Sequence, residues 1–247
     1  MALPTVVGVS SAAATATTGT TSPALPSGWA ADVIHVLFAE TQDTTAIGAM
    51  TGWADVVTSQ LVSTGTVTRL TVRWRRAVAG DSAPTVPAST NHTISRILGI
   101  RGCDTGVQPW NITTVGTDTV SNTSVSIPGA TTTVDECLVV VVFTTGTDTN
   151  TAQLSGSFTN SNLASLTTQM NDWTLSGGGG GFAVATGTMA VKGAYGATTA
   201  TLVTAAQKAF CSIAFAPVAS GSQANKGKGL PIGQRRPGAA HIASSTW

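Results

Sequence analysis

Short runs of alternating apolar and polar residues, separated by Gly, Pro, Asn and Asp, recur along the chain. Period-two segments bounded by turn residues predict β-strands. The clearest is Thr66 to Ala79, TVTRLTVRWRRAVA, in which Leu70, Val72 and Trp74 face one way and Arg69, Thr71, Arg73 and Arg75 the other. Two runs, Asp32–Ala39 (DVIHVLFA) and Glu136–Thr144 (ECLVVVVFT), are apolar at successive positions. That pattern predicts central strands buried on both faces. Further strands are expected at Val6–Ser10, Val56–Val62, Thr93–Arg101, Val120–Pro128, Phe182–Tyr195 and Lys208–Pro217. Pro217 then ends ladder pairing. Gln153–Thr159, Asp172–Ser176 and Thr199–Val203 are shorter candidates. Many short strands without a helical segment predict an all-β fold, an antiparallel β-sandwich spanning residues 1–217. No internal repeat is visible in the sequence, which argues against propellers and β-helices.

Composition divides the chain at residue 218. The whole sequence is 42% apolar and residues 1–217 are patterned, so the body is expected to fold; the stretch Val218 to Trp247 is dominated by Gly, Ser, Ala and Pro, with four basic residues and no acid. Such a segment cannot bury enough apolar surface to offset an ordering entropy of roughly 1–2 kcal/mol per residue. It is expected to be an extended C-terminal arm that orders against a partner surface. Charge supports the division. The body's eight Lys and Arg against eleven Asp and Glu give −3, whereas Lys226, Lys228, Arg235 and Arg236 give the arm +4. A basic arm can meet nucleic acid or an acidic protein surface. Four spread charges are few for nucleic acid, so an acidic neighbour is the favoured partner. Leu230, Ile232, Ile242 and Trp247 are sparse apolar anchors on that arm, suited to docking by strand addition or pocket filling.

Other features narrow the chemistry. MALPTVVGVS has neither the basic region nor the sustained apolar stretch of a secretory signal, and no run reaches the apolar length of a membrane helix. Cys103, Cys137 and Cys211 are an odd number without metal spacing and read as free thiols. These features together predict a protein kept in a cytoplasm until assembly, with no membrane partner.

Each candidate motif has a plainer alternative. Arg69, Arg73 and Arg75 share a strand face, with Arg76 beside them. The stripe is read either as a solvated face with cross-strand acids or as an interface to another subunit. A nucleic-acid stripe would want aromatics on the same face, and Trp74 points the other way. Gly177–Gly181 lacks the following helix and Lys-Ser/Thr pair of a phosphate loop, so it reads as a flexible or tightly packed loop. His35, His92 and His241 are far apart and define no metal or catalytic set. Asp43, Asp81, Asp104 and Asp148 read as turn formers rather than calcium ligands. Trp29, Trp53, Trp110 and Trp173 follow turn residues and read as buried closures of the sandwich; exposed, they would be sugar-stacking platforms. No nucleophile elbow or Cys/His/Asn set appears, so no catalytic residue, metal or cofactor is assigned.

Strand order and punctuation resemble a jelly-roll type of virion protein in tailed bacteriophages. The residues carrying the resemblance are Asp32–Phe38, Thr51-Gly52-Trp53, Leu70–Ala79 with Gly80-Asp81, Ile100-Arg101-Gly102, Glu136–Phe143 and Ser212–Pro217. The family's usual Gly-Asp before the first long strand is replaced by Ala31-Asp32. The resemblance implies a non-enzymatic virion protein, a head decoration or cement or a part of the tail apparatus. Its partners would be major capsid or tail proteins and copies of itself. Arg69, Arg73, Arg75, Leu230, Ile232, Arg235, Arg236, Ile242 and Trp247 are then the candidate interface residues. The alternative is a carbohydrate- or receptor-binding module at a tail tip, with a host glycan as ligand.

Overall fold

The computed structural model describes residues 1–15, 18–148 and 153–219. Among them the chain forms only strands: β1 (Thr5–Val9), β2 (Ala13–Thr15), β3 (Ile34–Thr41), β4 (Ala54–Asp55), β5 (Gln60–Val62), β6 (Thr68–Arg76), β7 (Thr93–Arg101), β8 (Trp110–Ile127), β9 (Cys137–Thr145), β10 (Ala164–Thr174), β11 (Gly180–Met189) and β12 (Thr198–Phe215). They build two antiparallel sheets. The first has seven strands in the order β1-β7-β3-β6-β4, with β2 also on β7 and β5 also on β6; the second has five, β10-β11-β9-β12-β8. The expected all-β antiparallel sandwich is therefore present.

The allocation of strands differs from a jelly roll, which sends strands back and forth between its sheets. Here the first sheet takes β1 to β7 and the second takes β8 to β12. The two sheets also share one plan. Matching β1/β2 with β8, β3 with β9, β4/β5 with β10, β6 with β11 and β7 with β12 gives the same strand order in both. Register agrees as well. Ile34 pairs with Ile100 and Phe38 with Val72 in the first sheet; Leu138 pairs with Phe215 and Val142 with Val184 in the second. A structural repeat thus exists that the sequence does not display, because different apolar residues fill matching positions.

This plan explains why β3 and β9 are buried on both faces, as their composition predicts. β3 and β4 are both antiparallel to the intervening β6, so they run the same way. The same holds for β1 and β3 across β7, and for β6 and β7 across β3. A connection between same-direction strands must run back along the sheet, and it does so over the outer face. Those returns bring Leu25, Ile47, Met50, Trp53 and Val86 onto Leu37, Ala39 and Ile97. On the second sheet Leu154, Phe158, Leu163 and Tyr195 cover Val139, Val141 and Phe143. Between the sheets lies the main core, with Ile34, Val36 and Phe38 opposed to Leu138, Val140 and Val142.

Sequence and structure part at a few elements. Val120–Pro128 is only the end of the 18-residue β8, whose earlier half is Thr-rich and half-buried at a sheet edge. Thr199–Val203 and Lys208–Pro217 belong to one strand, β12, with a register shift between Thr201 and Ala206. Lys208 is fully buried at that irregularity; its Nζ donates to Asn122 O at 3.0 Å and Asn122 Oδ1 at 2.9 Å, and lies 3.2 Å from Asp118. Past it the ribbon turns over its own sheet and adds Val125, Ile127, Ala200 and Leu202 to the outer core. Gln153–Thr159 is no strand and makes bridges only at Ser155 and Thr159 among the described residues. The three cysteines are free and buried, and burial pushes the thiols up, to about 12 for Cys103 and Cys211 and about 11 for Cys137.

If the outer face of the second sheet is a true core, Phe143→Ala costs as much stability as Phe38→Ala between the sheets. Each loses about 3–5 kcal/mol in denaturant unfolding. A loss below about 1 kcal/mol for Phe143→Ala would mean that its loop cover is loose.

Candidate functional site

The arginine strand is the first place to look for an interface, and the structure corrects that expectation. Arg69 and Arg73 are only 8% and 6% exposed. They lie on the outer face of β6, under the loop that returns from β3. Loop carbonyls buried over a sheet need donors, and the guanidinium groups supply them. Arg69 donates to Asp43 O at 3.3 Å, to Ser59 Oγ at 2.8 Å and to Thr44 O. Arg73 donates to Asp55 Oδ1 at 2.8 Å, Gly48 O at 2.6 Å and Ile47 O at 3.2 Å. Arg75 is half-buried, bonds Asp81 Oδ1 at 2.5 Å and sits 6.0 Å from the Trp53 ring centroid. Arg69 and Arg73 are thus clamps on the protein's own loops, whereas Arg75 keeps part of its side chain at the surface.

The loop acids behave as turn and tie residues. Asp43 accepts from Thr45 N at 2.8 Å and from Thr90 N and Oγ1 at 2.8 and 2.7 Å. Asp81 accepts from Val78 N, Asp104 from Gly106 N, and Asp148 lies against Gly179. Among the described residues no three His, Cys, Asp or Glu side chains gather as a metal site would require.

The tryptophans among the described residues take part in packing. Trp74 and Trp110 meet edge to face at 5.2 Å beside the main core, and Trp173 packs on the outer core of the second sheet. Trp29 and Trp53 enclose His35, at 5.7 and 6.5 Å between ring centroids. His35 is fully buried, and neither ring nitrogen has a hydrogen-bond partner among the described residues. Desolvation pulls it down to about 4, with Asp81 opposing and Arg75 assisting.

The most concentrated chemistry lies at the opposite end of the sandwich. Glu40 is the penultimate residue of the apolar strand β3, and His92 stands just before β7. Both side chains are fully buried, with His92 Nε2 2.6 Å from Glu40 Oε2. Thr68 Oγ1 donates to Glu40 Oε1 at 3.1 Å. Burial raises the Glu40 carboxyl above its usual range, against the opposing hydrogen bonds and charge of His92 and the Thr68 bond. Gln42 and Asn91 extend the network: Gln42 Nε2 donates to Gly146 O and Gly178 O, and Asn91 Nδ2 donates to Gln42 Oε1.

The five-glycine run closes over this pair. A Cβ on Gly180 would stand 2.9 Å from both Glu40 Oε2 and Thr145 O, and one on Gly178 would stand 1.7 Å from Gln42 Oε1. Gly177, Gly179 and Gly180 have φ of 65°, 68° and 148°, values that favour glycine. Of the two loop readings the packed one holds. The run joins the second sheet to the Glu40–His92 pair of the first, so the cluster is a clasp between sheets. Sealed from solvent, it cannot receive a substrate in this conformation. Sequence reading passed over Glu40. The available signal was one acid placed where the two-sided apolar pattern of β3 calls for a buried residue.

Leu230, Ile232, Arg235, Arg236, Ile242 and Trp247, like His241, lie outside the described residues.

Two opposite pH dependences follow. Glu40 is raised in the folded state, so its contribution is full below the ordinary carboxylate value of 4.5 and is lost as pH rises through the shifted value. Glu40→Gln should flatten the decline on the alkaline side in urea unfolding measured against pH; an unchanged profile would mean that Glu40 does not titrate differently on folding. His35 is depressed, so its contribution is present above 6.5 and is lost as pH falls towards about 4. His35→Phe should remove that acid-side loss, read from the same titration as the difference from wild type; an identical acid limb in both proteins would contradict the assignment.

Comparison of the chain with family models, with curated proteins and with solved structures gave no match. The fold and its side-chain geometry are what a functional reading has to rest on.

Proposed function

We propose that the protein is a non-enzymatic structural component of a tailed-bacteriophage particle, decorating or cementing the head or forming part of the tail apparatus. One observation carries most of the weight. All six arginines of the described body, at 69, 73, 75, 76, 96 and 101, donate hydrogen bonds within that body. Arg96 is bidentate to Asp172, at 2.9 and 2.8 Å, and so ties the first sheet to the second. Charged groups used this way favour a durable block over a reactive cleft. The four basic residues beyond the body, Lys226, Lys228, Arg235 and Arg236, stand in a stretch of sequence with no acid. A rigid block with a basic, sparsely apolar arm suits repeated weak contacts in an assembly, where many copies supply avidity.

The reading predicts many copies per purified particle. It also predicts that particles lacking the protein break at a lower temperature. Quantitative mass spectrometry of particles and a heat-release assay of packaged DNA read both. A handful of copies, with the purified protein binding host cells, would instead indicate the receptor- or carbohydrate-binding alternative.

A further inference from the structure

Three chemically complementary side chains meet where β8 and β12 slip out of register. Ala206 pairs with Asn122 and Lys208 with Asp118, so β8 carries extra residues between the two pairs. Bulges of this kind re-aim side chains. Here Asp118 and Asn122 are both turned onto the buried end of Lys208. Lys208 Nζ donates to Asn122 Oδ1 at 2.9 Å and lies 3.2 Å from Asp118 Oδ2. Asn122 Nδ2 donates to the same Asp118 Oδ2 at 3.4 Å. Ser124 N donates to Asn122 Oδ1 at 2.9 Å.

An amine, a carboxamide and a carboxylate in this arrangement hold the parts needed for acyl transfer. Nζ is the nucleophile. It bonds the oxygen of the carboxamide, so it stands next to Cγ, near the separation of about 3–3.5 Å from which attack begins. Ser124 N polarises the carbonyl and stays in place for the oxyanion. Asp118 Oδ2 touches both the nitrogen that attacks and the nitrogen that leaves. Desolvation opposes its ionisation, yet the Val120 N bond and Lys208 hold the Asp118 carboxyl below its usual range. It therefore enters as a base. Its side chain is partly exposed, which gives a small leaving group a way out.

We propose that Lys208 and Asn122 join in an intramolecular isopeptide bond, with Asp118 as the catalytic proton carrier. Asp118 takes a proton from the Lys208 ammonium, and the freed lone pair of Nζ forms a bond to Asn122 Cγ. Asp118 hands that proton to Nδ2 and takes a second from the now cationic Nζ. The oxyanion re-forms the carbonyl as the Cγ–Nδ2 bond breaks, and the electron pair leaves with ammonia. The ammonia takes the second proton from Asp118 and departs as ammonium. No oxidant, reductant or cofactor enters the balance.

The bond suits its surroundings. Lys208 is fully buried, and a buried ammonium is costly even when paired; the amide removes that charge. β8 is the last strand of its sheet, bonded to β12, so the link pins an edge strand to its neighbour. It joins positions 86 residues apart, and such a link acts mainly by restricting the unfolded chain. The inference does not depend on the particle reading.

Intact mass of the purified full-length protein tests it without a variant. The wild-type chain is expected to be lighter than its sequence by one ammonia. Digestion should yield a branched peptide joining Lys208 to Asn122, with no tryptic cleavage after Lys208. Lys208→Arg and Asn122→Ala should each restore the full mass. Freshly made Asp118→Ala protein should remain mostly unlinked, since loss of the proton carrier slows the step roughly a hundredfold or more. A wild-type chain at its full sequence mass, cut after Lys208, would overturn the inference. So would loss of water instead of ammonia, with Lys208 joined to Asp118. Complete linkage in fresh Asp118→Ala protein would contradict the role given to that carboxylate.

Discussion

Burial of β3 and β9 on both faces is the constraint on which the rest of the structure depends. A strand with apolar side chains pointing both ways cannot sit in a sheet that faces water on one side. Packing the two sheets together covers only the inner faces. The outer faces are covered because the strand order forces connections to run back over them, and each connection brings apolar residues such as Met50 and Val86, or Phe158 and Leu163. Both sheets solve the problem in the same way with different residues. The three core layers follow from that solution.

Loops laid over a sheet carry backbone carbonyls that have left water, and this is where the charged residues act. Arg69 and Arg73 reach up from β6 to the carbonyls of Asp43, Thr44, Ile47 and Gly48. Removing such a donor leaves buried acceptors unpaired, at about 1–3 kcal/mol each. Lys208 plays the corresponding part at the irregularity of the β8–β12 ribbon. Glu40, His92 and the glycine run close one end, and Arg96 with Asp172 joins the sheets. Charge, scarce in the sequence, is thus largely placed on internal junctions among the described residues.

The strands were largely legible in the sequence because their signal is local. Leu70, Val72 and Trp74 alternate with arginines, and Thr93–Arg101 has the same limits in sequence and structure. The two-sided strands were legible from unbroken apolar runs. What the sequence hid is set by contacts between distant residues. The fate of the arginine face depends on whether a loop lies over it, and periodicity says nothing about that. The Glu40–His92 pair joins residues far apart in the chain. The glycine run has meaning only beside that pair. The shared plan of the two sheets is invisible because Ile34 answers to Leu138 and Leu70 to Phe182, with spacing set by loops of unequal length.

The central claim is that the return loops are parts of the core rather than coverings over a finished sandwich. Native-state hydrogen exchange measures this directly, since amides open with the free energy of the unit that holds them. The account predicts that Val86 N and Tyr195 N, bonded to Thr21 O and Ala130 O, exchange with the slow class of amides in β3 and β9. Fast exchange at both positions, with β3 and β9 still protected, would contradict it.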